Sequence, residues 1–86
     1  MNNVNHPSHY CKPGRMECIE EMLLLFGVEA VRHFCLLCRY KYKYRYDLKN
    51  GQEDLEKAEW YEAKYLELGG NPEQLTITGR DLYAKP

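Results

Sequence analysis

The sequence predicts a small all-α domain: three helices, preceded by an extended N-terminal arm and followed by a C-terminal tail. Three observations carry that prediction. Apolar residues recur at helical spacing over residues 15–26, 28–38 and 52–68. Each of these segments ends at glycine or Asn-Gly: Gly27, Asn50-Gly51 and Gly69-Gly70. No run flanked by hairpin-type turns offers the partner strands that a sheet would need. At 86 residues the chain reads as one domain, with arm 1–14, helical core 15–68 and tail 69–86.

The arm is extended because Pro7 and Pro13 lack backbone donors and bias the residues before them away from helix. In the first helix, 15–26, Met16, Ile19, Met22, Leu23 and Phe26 form one apolar stripe. The second begins at residue 28, with Val31, Phe34, Cys35 and Cys38 on one face and Ala30, Leu36 and Leu37 widening it. It runs directly into Arg39-Tyr40-Lys41-Tyr42-Lys43-Tyr44-Arg45-Tyr46. Strict alternation there is a strand signature, but no turn residue separates the run from the helix before it, so helix is favoured. The third helix, 52–68, has acids in its first turn, where they complement the helix dipole. Its buried side is predicted as Leu55, Ala58, Tyr61, Ala63, Tyr65 and Leu66. Within the tail, Leu75-Thr76-Ile77-Thr78 has the pattern of a short strand or of an arm laid on a neighbour.

The net charge of −1 conceals a local excess. Residues 39–49 hold Arg39, Lys41, Lys43, Arg45 and Lys49 against Asp47 alone. Charge this local suits a small anionic ligand better than a long nucleic-acid duplex, which calls for a positive face. Rings between the cations can stack on a base. Lys41 and Arg45, at i,i+4, are the candidate phosphate clamp, and Glu53, Asp54 and Lys57 could face it across the Asn50-Gly51 turn. The competing reading is a solvated charged face with surface ion pairs. No phosphate-cradling Gly-rich loop is present, so side chains must hold any phosphate.

The arm carries His6-Pro7-Ser8-His9-Tyr10, two imidazoles and a phenol on a proline-restrained segment. Histidine exchanges protons near neutral pH, so the arm reads either as a loose terminus or as a flap over a ligand. Cys35 and Cys38 have CxxC spacing, and Cys11, Cys18, His6 and His9 could complete a tetrahedral zinc site. Burial in an apolar helix favours free core thiols instead, so no metal is expected. No apolar run is long enough to span a membrane. The N-terminus lacks the charge pattern of a signal peptide, which leads to an expectation of a cytoplasmic protein. So small a core predicts a homo-oligomer.

These motifs taken in order, His6-Pro7-x-His9-Tyr10, Glu17-Cys18-Ile19, Lys41-Tyr42-x-x-Arg45 and Glu53-Asp54-Leu55-x-Lys57-Ala58-x-x-Tyr61, resemble a small phage-encoded nucleotide kinase family, formerly a domain of unknown function. The resemblance covers roughly residues 5–66. It implies phosphoryl transfer to a deoxynucleoside monophosphate, with a nucleoside triphosphate as possible donor. By the resemblance, His6, His9 and Glu17 are candidate catalytic residues, one of which orients the attacking phosphate. Tyr10, Lys41, Tyr42, Arg45, Asp54, Lys57 and Trp60 are then candidate substrate-binding residues, with Tyr10, Tyr42 or Trp60 stacking on the base. The alternative function is a phage counter-defence sponge that sequesters a nucleotide signal without turning it over.

Overall fold

A computed structural model describes residues 14–48 and 51–83. Three helices dominate them: α1 (Cys18–Phe26), α2 (Val28–Arg45) and α3 (Gln52–Glu67). A 3-10 helix (Pro72–Thr76) and a single turn, α4 (Arg80–Tyr83), follow. The predicted all-α class is what is observed, and no strand occurs among the described residues. The arm's His6, His9 and Tyr10, with Cys11, lie outside the described residues, as do Lys49 and Asn50.

The helix through the basic–tyrosine run is continuous to Arg45, so its residues are distributed around a cylinder and not split between two faces. The Gly51 N–H closes on the Tyr46 carbonyl at 2.8 Å, which turns the chain into α3. Gly27 separates α1 from α2 at φ +93, where an L side chain is strained. The Gly27 N–H still caps α1 on the Leu23 carbonyl.

The core lies where α2 meets α3 and α1 closes one side. Val31, Cys35 and Tyr65 are buried, and Ile19, Met22, Leu23, Leu36, Tyr61, Leu68 and Leu75 pack on them. Tyr65 donates to the Asn71 carbonyl at 2.9 Å. Its ring lies so close to Gly70 that a Cβ there would stand 2.4 Å from it. That contact folds the chain after α3 back onto the core. The Asn71 side chain then caps the 3-10 helix through the Glu73 N–H.

Several expectations are corrected. Helix α1 starts at Cys18 and not at residue 15, because Glu17 is in extended backbone and accepts the first helical bonds. Met16 and Phe26 are exposed, so the apolar stripe of α1 narrows to Ile19, Met22 and Leu23. Ala30, Phe34, Leu37, Ala63 and Leu66 are exposed too, since a short two-helix seam covers only part of each apolar face. Leu75 and Thr76 belong to the 3-10 helix, not to a strand, and Ile77 caps it in extended backbone.

Cys18, Cys35 and Cys38 are free thiols, the latter two buried. Burial, aided by the neighbouring Cys38, pushes the Cys35 thiol from 9.0 up to about 11, against a small opposing pull from Lys64. Burial also raises Cys38, opposed by Lys41 and by a hydrogen bond with Tyr61. Below pH 9 the folded and unfolded chains both keep the Cys35 proton. Between about 9 and 11 the unfolded chain loses it first, so stability falls as pH rises, by on the order of 2 kcal/mol. Urea midpoints at pH 8 and pH 10.5 are expected to show that loss, and Cys35→Ala is expected to reduce it. An equal loss in the variant would assign the effect to other groups.

Candidate functional site

The last two turns of α2 and the first three of α3 run side by side and bring the basic segment against Asp54, Lys57, Trp60 and Tyr61. The centre of the arrangement is the Tyr42 ring. Lys41 Nζ stands 4.6 Å from its centroid, Lys57 Nζ 5.5 Å and Arg45 Cζ 5.6 Å. Three cations thus converge on one phenol. The ring's negative face attracts each of them, by about 0.5–1 kcal/mol at an exposed site.

Tyr61 holds Tyr42 in place. Their rings stack at 5.9 Å and 13°. Trp60 and Phe34 meet Tyr61 edge-on, at 5.0 Å and 5.8 Å. Lys64 lies 5.7 Å over Trp60. These contacts follow from spacing: Phe34, Tyr42 and Arg45 fall on the α3-facing half of α2, while Asp54, Lys57 and Tyr61 recur along α3 at i,i+3 and i,i+4.

The floor of the cluster is a charge pair. Asp54 is fully buried, and Arg45 Nε lies 3.2 Å from its Oδ2. The distance is that of an ion pair, but the N–H is misdirected: Arg45 Nε and both Asp54 oxygens lack hydrogen-bond partners among the described residues. Buried acceptors without donors are rare, and each calls for an explanation. Lys57 also pairs with Glu53 at 3.7 Å on the surface. Lys41 has no carboxylate partner among the described residues and is exposed.

The structure therefore brings Lys41, Tyr42, Arg45, Asp54, Lys57 and Trp60 together, as their spacing predicts. It changes two of their roles. Arg45 is partly committed to Asp54, so it is less free to clamp phosphate than its position implies. Tyr42 already stacks on Tyr61 and carries cations, which leaves Trp60 as the better base platform within α3. Glu17 stands at the N-cap of α1, on a different element from the cluster. Tyr61 is expected on the buried side of α3 and as the last residue of the Glu-Asp-Leu motif, and its part in holding Tyr42 is an addition from the structure. Its i,i+4 spacing from Lys57 was the readable signal. Among the described residues, no group of three or more His, Cys, Asp or Glu could hold a metal ion. No helix among them is long and apolar enough to cross a membrane.

A second concavity, of about 210 Å³, lies between α2 and the C-terminal segment, lined by Arg39, Tyr40, Lys43, Tyr44, Leu75 and Ile77 among others. Arg39 is occupied there by Glu62 at 2.9 Å. Lys43 is thus its one cation without a carboxylate partner among the described residues, against three cations at Tyr42.

Comparison with curated proteins and with solved structures gave no match. A family description does match, over residues 4–63, and it is that of a protein of unknown function. It names no nucleotide kinase, so the kinase resemblance is corrected: the His-Pro-x-His-Tyr and Glu-Asp-Leu motifs mark a family without an assigned chemistry. The match spans most of the chain, which belongs to the DUF3310 family.

Proposed function

We propose that the protein binds a nucleotide at the α2–α3 cluster, with its phosphate on Lys41, Lys57 and the outer face of Arg45 and its base against Trp60. The observation that carries this reading is the convergence of those three cations within 5.6 Å of one ring centroid. A phosphate relieves the crowding of like charges and accepts charge-assisted hydrogen bonds from all three. The Asp54 acceptors, which have no donor among the described residues, add a second requirement, for N–H or O–H donors, which the amino and hydroxyl groups of a nucleoside supply. Asp54 is closed to solvent, so a ligand donor reaches it only after its cover moves. The proposed setting is a reducing cytoplasm, in which the described thiols stay free. The active form is proposed to be a homo-oligomer.

A thermal-shift screen against mono-, tri- and cyclic nucleotides tests the proposal. A ligand at 100 times its dissociation constant adds about 2.7 kcal/mol of stability. No shift with any nucleotide at millimolar concentration would contradict it. Transfer and sequestration are separated by the fate of the ligand. A phosphotransferase turns over labelled triphosphate in the presence of a deoxynucleoside monophosphate, whereas a sponge returns its nucleotide unchanged.

The arm provides an independent prediction. If His6, His9 and Tyr10 close over the ligand, deleting residues 1–10 abolishes the nucleotide-induced shift and leaves the helical circular-dichroism signal nearly intact. Undiminished binding by the truncated chain would confine the site to the α2–α3 cluster.

A further inference from the structure

We infer that the outward face of α2 is a self-association surface, on which a second copy of this chain packs its own α2 in antiparallel orientation with Leu37 near the two-fold axis. The inference does not depend on the nucleotide reading. Opposite the buried Val31, Cys35 and Cys38, α2 presents Ala30, His33, Leu37, Tyr40 and Tyr44, all exposed, with Tyr40 and Tyr44 at one end also lining the concavity against Leu75 and Ile77. Ala30, Leu37 and Tyr44 are spaced by seven, as are His33 and Tyr40, which is the repeat that keeps one seam facing a partner helix. Leu37 is 67% exposed and Tyr44 69%.

Three features favour a second copy of the chain as the occupant. The first is shape. A two-fold axis at Leu37 sets Ala30 against Tyr44 of the second copy, small against large, at both ends of the seam, and Leu37 against itself. The second is charge. The first turn of α2 carries Glu29 and its last turns carry Lys41, Lys43 and Arg45. Parallel pairing would set like charge on like, whereas antiparallel pairing sets acid on base. Helical periodicity puts Glu29 and Lys43 on the same flank of the seam, and an antiparallel pair brings that flank of one helix against the same flank of the other.

The third is area. Leu24, Leu25 and Phe26, in the last turn of α1, are 70–76% exposed, and chain continuity puts them beside the Ala30 end of the seam. Consecutive residues point around the α1 helix, so part of this exposed apolar area adds to that of Leu37 and Tyr44 toward the ~800 Å² per partner of a standard interface. Helix α1 itself buries no residue fully, and nine residues are too few to hold a helix alone in water, so a cover over its free face also stabilises the element.

The test is light scattering of the 86-residue chain from 1 to 100 µM, with and without surface changes at Leu37, Lys43 and Glu29. The intact chain, of 10.2 kDa, is expected at twice that mass. Leu37→Glu is expected to give a monomer with unchanged ellipticity, because the side chain it replaces faces solvent within one copy. Lys43→Glu is expected to weaken the dimer at least tenfold, and adding Glu29→Lys to it is expected to restore the dimer. A monomeric intact chain at 100 µM overturns the inference. So does a dimer that survives Leu37→Glu, or a charge swap that fails to restore what Lys43→Glu removes.

Discussion

Arg45→Ala is expected to lower the stability of the fold by about 3 kcal/mol, the low end of the cost of removing one partner from a buried ion pair. The reason lies in Asp54. Its carboxylate is fully buried, makes no hydrogen bond among the described residues, and has Arg45 as its ion-pair partner. Without Arg45 it is a buried charge with no compensation. The low end applies because the Arg45 side chain is 31% exposed, so water screens part of the attraction. For a chain of this length, a loss of that size moves the melting temperature by roughly 12–24 °C. The reverse change is gentler: in Asp54→Ala the freed guanidinium can turn to water, and about 1–2 kcal/mol is expected. Arg39→Ala supplies the control. Its partner Glu62 is 40% exposed, so the loss should stay under about 1 kcal/mol. Equal melting temperatures for the Arg39 and Arg45 variants would mean that Asp54 is not held by charge.

Replacing both Lys41 and Lys57 with alanine is expected to weaken nucleotide binding by about 100-fold while moving the melting temperature by only a few degrees. Each removed charge-assisted contact to phosphate accounts for about 1.5 kcal/mol, and about 1.4 kcal/mol is a factor of ten. Stability is spared because Lys41 is exposed and Lys57 makes only a surface pair with Glu53 at 3.7 Å. The split matters, since an Arg45 variant confounds lost binding with lost stability. Lys64→Ala, which removes a cation over Trp60 but none over Tyr42, should have the smaller effect on phosphate affinity.

The helical class was legible because its signals are local: apolar spacing, the glycines that end each segment, and the lack of partner strands. Continuity of α2 through the tyrosine run was legible for the same reason. The gathering of Lys41, Tyr42, Arg45, Asp54 and Lys57 was also within reach, since a tight turn between two helices forces their adjoining ends together. Burial was harder to read. Asp54 looked like a first-turn acid complementing the helix dipole, and only the crossing of α3 on α2 turns it inward against Arg45. Met16, Phe26 and Leu66 fit apolar stripes by spacing, yet they stay exposed because no second element among the described residues lies over them. The stacking of Tyr42 on Tyr61 depends on the distance between two helices, a tertiary quantity that neither helix encodes alone.

The most direct test of the proposed site is a calorimetric titration of nucleoside mono- and triphosphates into the intact chain and into the Lys41→Ala, Lys57→Ala double variant, with inorganic phosphate as reference. The cluster predicts saturable binding of a nucleotide to the intact chain, weaker binding of phosphate alone, and about a 100-fold loss in the folded double variant. Equal affinity in the two proteins, or no binding of any nucleotide to the intact chain, would contradict it.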